Sequence, residues 1–354
     1  MTNPTTEPDL PEDSAADPEA SAAVEADVET GGFGIEGDAV GLERIHVTSR
    51  SLELPKREIE RLNFMAAREA NPEHDRNVGF SARVWAQVTL PYTDPGNVNS
   101  WVRKNGPITL RVRPAAFTGA DGSEQVVYPY GILPRHIMTW MATEAYRTGS
   151  PELILGSSMN AFMEKLGLSR GGKNRVRLRD QMQRVFGSQL SVEGIAFGQP
   201  GSGYGMVQKY FPIASETALW FSENEDDAVE GLWSSKIILS DPFFTSIQQH
   251  PIPVDLDVLK HLGSAPLRLD IYTWLGYRLY NLERPTRIKW ADLYAQFGSQ
   301  TKQIRDFRVQ FKAAMLAIQA LFPAVRYEIE RDYFLLYPGP LPVPETARRY
   351  RIKG

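Results

Sequence analysis

A run of apolar residues from Ile304 to Ile318, with a glycine break before it and a proline after it, restricts the fold more than any other stretch. Ile304, Phe307, Phe311, Met315 and Ile318 recur every three or four residues, so the spacing predicts a helix over Lys302 to Phe322 with one buried stripe. Thr301 stands where an N-cap is expected, and Pro323 ends the helix. Upstream, Trp290 to Phe297 (WADLYAQF) places Trp290, Leu293, Tyr294 and Phe297 at helical spacing before Gly298-Ser299-Gln300 breaks the run. Downstream, Val325, Tyr327 and Ile329 alternate with Arg326, Glu328 and Glu330, and Arg331-Asp332 turns the chain into Tyr333 to Tyr337. That alternation predicts a β-hairpin, although Arg-Asp is not a favoured type I′ pair. At about 100° per residue, Thr301, Arg305, Arg308 and Lys312 share a face beside the buried stripe, with Lys302 at its edge. Two helices joined by a sharp turn, with cations on the second and a hairpin behind it, have the shape of a DNA reader.

The first half of the chain repeats that order. Lys56 to Ala70 has Ile59, Leu62 and Met65 on one side of a predicted helix. Phe80 to Leu90 alternates apolar and polar residues and reads as a strand, and Trp101 to Arg113 reads as a strand pair turning at Asn105-Gly106. Another strand, Gln125 to Tyr128, precedes a helix over Pro134 to Arg147 and a short strand at Glu152 to Leu155. A helix capped by Ser158 then runs to Leu166, and a basic helix spans Arg175 to Phe186. Gln189 to Phe197 and Met206 to Phe211 read as strands around the Gly-rich Gly201 to Gly205, and Ala218 to Phe221 and Gly231 to Leu239 extend the sheet. The proline-bearing segment Asp241 to Asp255 reads as a junction, followed by helices at Asp257 to Leu262 and Leu267 to Leu282.

The expectation is therefore an α+β chain with two tandem winged-helix domains behind a disordered acidic tail. The boundaries expected are 1–45 for the tail, 46–245 and 246–340 for the two domains, and 341–354 for a basic C-terminal tail.

Charge separates the tail from the body. Residues 1–43 hold twelve Asp or Glu and no Lys or Arg, which leaves 39 basic against 31 acidic residues in the rest. Such a tail cannot offset its ordering entropy. It reads as a solubilising segment, a DNA mimic that screens the basic body, or a partner-docking arm. The basic body points weakly to polyanions. There are no cysteines, which suits the cytoplasm and excludes thiolate chemistry, and no apolar run approaches a membrane span.

A second cationic cluster, Arg170, Lys173, Arg175, Arg177 and Arg179, surrounds the first basic helix. Its angles are scattered, so a solvated helix explains it about as well as phosphate contact. In the better focused cluster, Arg305 could grip guanine through O6 and N7. Gln300 and Gln303 could read adenine or simply cap the helix end, and Arg326 and Arg331 belong to the hairpin. Gly167 to Asn174 has the Gly and Lys spacing of a phosphate loop, but Asn174 replaces the magnesium-binding Ser or Thr and the run follows a helix. The five histidines show no metal-ligand spacing. No enzymatic activity, cofactor or metal is expected, and a nicking or recombining enzyme is the least favoured reading.

The residues also carry a resemblance. Tyr130-Gly131-Ile132-Leu133-Pro134-Arg135, Trp140, Thr143-Glu144-Ala145 and Arg147-Thr148 open it, and Glu152 to Gly156, Phe162-Met163, Leu166 to Leu168 and Arg177 to Met182 continue it. Trp233, Leu239 to Phe244, Pro251 to Asp255, Tyr272 to Leu275 and Tyr277 to Leu279 complete it. Over roughly residues 80–340 the chain resembles the RepA-type plasmid replication initiators associated with IncW-like plasmids. The resemblance implies an initiator that binds repeated origin DNA (iterons), opens adjacent A·T-rich duplex with the host initiator and recruits the replicative helicase. It also implies a homodimer–monomer equilibrium, with the first winged helix dimerising and the second reading iterons. A winged-helix transcriptional regulator or autorepressor without initiation activity is the alternative.

Overall fold

The computed structural model describes residues 56–70, 76–118, 122–197, 204–219, 235–298 and 301–344, so the acidic tail, the Gly201 region, Gln300 and the last ten residues lie outside the description. The fold is α+β. It opens with α1 (Lys56–Ala70), β1 (Val78–Ala82), α2 (Arg83–Gln87), β2 (Trp101–Asn105), β3 (Ile108–Arg113), β4 (Ala115–Thr118) and β5 (Glu124–Val127). It continues through α3 (Ile132–Thr148), β6 (Glu152–Ile154), α4 (Met159–Lys165), α5 (Gly172–Gly187), β7 (Gln189–Phe197), β8 (Tyr204–Pro212), β9 (Ala214–Ala218) and β10 (Lys236–Leu239). The remainder is α6 (Asp241–Gln249), β11 (Pro251–Asp255), α7 (Leu256–His261), α8 (Pro266–Tyr280), β12 (Thr286–Lys289), α9 (Trp290–Phe297), α10 (Ile304–Leu321), β13 (Tyr327–Ile329) and β14 (Tyr333–Leu336).

Two apolar cores form. One gathers side chains between Ala82 and Ile247, chiefly from α3, α4 and α5 and the sheets beside them. The other gathers side chains between Val254 and Leu336, and takes Phe64 and Met65 of α1 against its edge. The element order helix, short strand, short helix, long helix, hairpin occurs in both, as α3-β6-α4-α5-β7-β8 and as α8-β12-α9-α10-β13-β14. The sheets differ. In the second core β14 lies between β12 and β13, so the hairpin closes on the strand between the first two helices. In the first core the hairpin β7-β8 pairs instead with β3, in the order β2-β3-β7-β8, and β6 pairs with β10.

Several sequence expectations change. The strand expected over Phe80 to Leu90 stops at Ala82, where pairing with β11 ends, and α2 follows with adjacent Trp85 and Ala86 both buried. Two neighbouring buried side chains suit a helical turn and not a half-buried strand. The junction expected at Asp241 to Asp255 is ordered structure: α6 buries Phe243 and Ile247, and β11 returns to pair antiparallel with β1. Of the strands expected at Ala218 to Phe221 and Gly231 to Leu239, residues 220–221 and 231–234 lie outside the description; the strands observed are β9, which ends at Ala218, and β10 from Lys236 to Leu239, paired with each other. At the start of the expected C-terminal tail, Val343 is buried and the Pro342 carbonyl accepts from Arg76 Nη1 at 3.0 Å; residues 345–354 lie outside the description.

A buried polar seam ties the cores together. Arg135 of α3 donates through Nε to Asp270 Oδ1 (2.8 Å) and through Nη2 to Asp270 Oδ2 (2.7 Å) on α8. The same guanidinium donates to the carbonyls of Leu90, Pro91 and Gly131 and lies over the Tyr92 ring. Asp255 caps α7 by accepting from the amides of Asp257 and Val258, and also receives Arg68 of α1.

Candidate nucleic-acid interface

Helix α10 rests on an aromatic platform. Phe311 meets Trp290 and Phe334 edge-on, Phe307 meets Phe311 and Tyr294, and Phe297 meets Trp274 at right angles. Phe307, Phe311, Met315 and Ile318 are fully buried, as the spacing predicts, but Ile304, expected in the same stripe, opens the helix and is 40% exposed. The buried side leaves an outward stripe of Arg305, Val309, Lys312 and Leu316, all within a narrow arc at about 100° per residue. Arg305 is 82% exposed and, among the described residues, pairs with the neighbouring Asp306, at 3.4 Å. An exposed pair of this kind contributes little and yields readily to a phosphate.

The helix begins two residues later than expected. Gln303, not Thr301, is the N-cap, and its side chain makes no capping bond. Thr301 is pinned beforehand, its carbonyl accepting from Tyr294 Oη at 2.6 Å. Lys302 therefore lies before the helix and is exposed, as is Gln303. The first-turn amides lack a Gln303 side-chain acceptor and carry the positive end of an eighteen-residue helix dipole, which suits an anion.

Arg308 has a different task. Its Nη2 donates to the Glu330 carbonyl at 3.3 Å, and its guanidinium lies 4.9 Å over the Trp290 ring. Trp290 Nε1 donates to the same carbonyl at 3.2 Å, so Arg308 fastens α10 to the hairpin turn. Lys312 is half-buried. On the hairpin Arg331 is exposed, while Arg326 donates to the Pro338 carbonyl. Acidic groups are close too: Glu330 pairs with Arg287 at 3.7 Å, and Glu328 accepts from Tyr337 Oη.

The first basic helix starts at Gly172, earlier than expected, so Lys173 belongs to its first turn. Arg170 pairs with Glu164 at 3.4 Å, and Arg175 Nε donates to Asn160 Oδ1 at 3.2 Å. Lys173, Arg177 and Arg179 are exposed. Asn174 Nδ2 donates to the carbonyl and Oγ of Ser169, which closes the glycine-rich turn on itself. Arg184 serves the scaffold: it pairs with Asp180 and Asp94 and stacks over Tyr130.

The fold is thus an α+β protein in which a cation-bearing helix face stands beside a short antiparallel hairpin. Residues 128–292 match the family model described as plasmid encoded RepA protein, a plasmid replication initiator domain, and the resemblance read from the sequence holds over that stretch. The matched stretch contains α5 and ends within α9, before α10. No curated protein matches the chain. Among solved structures, the chain is similar to the RctB domains 2-3 (TM-score 0.45, 11% identity, 72% of this chain and 96% of that one). It is likewise similar to a selenomethionine derivative of RctB domains 2 and 3 (TM-score 0.43, 13% identity, 72% and 97%).

Proposed function

We propose that the chain is a non-enzymatic replication initiator that binds repeated duplex DNA at a plasmid origin, opens it with the host initiator and passes it to the replicative helicase. In this reading both repeats of the element order act as winged helices, divided near residue 245, and the protein exchanges between homodimer and monomer. The start of α10 enters the major groove, Arg305 reaches base edges, and Lys302, Lys312 and Arg331 meet phosphates. The observation that carries the reading is the solvent-facing Arg305, with the half-buried Lys312 beside it, on a helix whose opposite face is locked into an aromatic core. An autorepressor without initiation activity uses the same face; tandem direct repeats beside an A·T-rich tract favour initiation, and a lone inverted repeat favours repression.

The test is a gel-shift titration of the full chain on the plasmid DNA flanking its gene, at several salt concentrations. Three phosphate contacts give a slope of log K against log salt of about −2.7. Arg305→Ala weakens binding by about 1–3 kcal/mol. Unchanged affinity in that variant removes Arg305 from the interface, and a flat salt dependence removes the cationic face. Nicking of supercoiled plasmid in magnesium or manganese would overturn the non-enzymatic reading.

A further inference from the structure

The outward stripe of α10 is not uniformly cationic. Val309 is 65% exposed, although it lies in the middle of the face. It stands four residues after Arg305 and three before Lys312, so it neighbours both on the helix surface. A lone exposed aliphatic is ordinary. This one is set between two cations, on the turn that follows Arg305, where a purely solvated face gains nothing from a β-branched residue that lowers helix propensity. Helix α5 has a similar arrangement, with Val176 57% exposed three residues after Lys173 and three before Arg179.

We infer that Val309 is a specificity-determining residue that packs against the C5-methyl group of a thymine in the bound duplex. Of the four bases, only thymine presents an apolar group on its major-groove edge. Arg305 on a base edge and Lys312 on a phosphate bring the valine between them to the floor of the groove. Leu316, also exposed, is seven residues further on, about 10 Å along the axis, and is not assigned to the same base. The inference rests on the assignment of α10 to DNA and adds the base class that its second turn selects.

The experiment uses the full chain and duplexes that it selects from a randomised library, with each thymine of the selected site replaced singly by deoxyuridine, which removes only the methyl. For wild type, one or two replacements weaken binding about three- to five-fold, the effect of one buried methyl. Val309→Ala binds the parent duplex weaker by a similar factor, is indifferent to deoxyuridine at those positions, and keeps the wild-type salt slope because no charge is lost. Alanine is the better helix former, so the variant folds. Indifference of wild type to every replacement overturns the inference, as does a methyl effect that survives in Val309→Ala. Selected, salt-dependent, Arg305-dependent binding without a methyl effect removes this inference alone. Failure to select any duplex removes the DNA-reading function with it.

Discussion

Breaking the Arg135–Asp270 pair should cost more than removing any cation on the molecule's surface. The side chains are 7% and 10% exposed, and both carboxylate oxygens are engaged at 2.7–2.8 Å. Arg135→Ala strands a buried carboxylate and withdraws the donor from three carbonyls, which by the usual cost of orphaning a buried charge lowers stability by about 3–5 kcal/mol. That is roughly a fifth or more of what holds a typical domain together. Asp270→Asn is milder, about 1.5–3 kcal/mol, because Arg135 keeps its carbonyl partners and only the charge assistance goes. The pair joins α3 of one core to α8 of the other, so urea unfolding of Arg135→Ala, followed by tryptophan fluorescence and circular dichroism, should resolve into two transitions where wild type shows fewer. In the cycle of Arg135→Met, Asp270→Leu and the two together, the single costs fall well short of adding in the double variant, with a coupling of about 2 kcal/mol or more. Single costs below about 1 kcal/mol that simply add would refute the seam as a structural tie.

Two further outcomes follow from the geometry. Arg308→Ala should lower stability by about 1–2 kcal/mol in denaturant titrations, from the lost bond to Glu330 and the stacking on Trp290, whereas Arg305→Ala should leave stability within about 0.5 kcal/mol. His136 has its pKa lowered to about 4 from 6.5, first by burial and then by the Arg135 charge. The folded state therefore holds fewer protons than the unfolded one between those values, and stability falls as pH drops from 6.5 to about 4 by at most about 3 kcal/mol. His136→Asn should flatten that part of a melting-temperature profile; an unaltered profile would show that another group sets it.

Local pattern was enough for local structure. The helix bounds read for α1 and α9 are those observed, the Asn105-Gly106 turn joins β2 to β3 with Gly106 at φ +53°, and Ser158 caps α4 through Ala161 N. The failures involve distant partners. Phe80 to Val88 alternates well enough for a strand, but the strand exists only where β11, some 170 residues away, supplies hydrogen bonds. The prolines of β11 suggested a linker because Pro251 and Pro253 interrupt donors, yet a two-stranded pair leaves one edge of β11 without a ladder to feed. Periodicity put Arg308 beside Arg305 and Lys312, but it could not show that the Glu330 carbonyl and the Trp290 ring engage it. Arg135 entered only as part of a motif, since nothing local announces a partner at Asp270.

Cations in this chain divide by what surrounds them. Arg135, Arg184 and Arg308 each combine a carbonyl acceptor with an aromatic face, which uses the planar guanidinium for construction. Lys302, Arg305 and Arg331 have no such enclosure and remain exposed. Arg308 bridges the two groups: by tying α10 to the turn after β13, it fixes the helix relative to the hairpin before any ligand arrives. A reader whose helix and hairpin are already locked loses less entropy on binding than one that must assemble them. The aromatic platform under Phe307 and Phe311 serves the same end from below. Removing a surface cation should therefore weaken contacts while leaving the frame intact. Removing Arg308 should loosen the frame and weaken binding to every sequence alike, without changing which base is preferred.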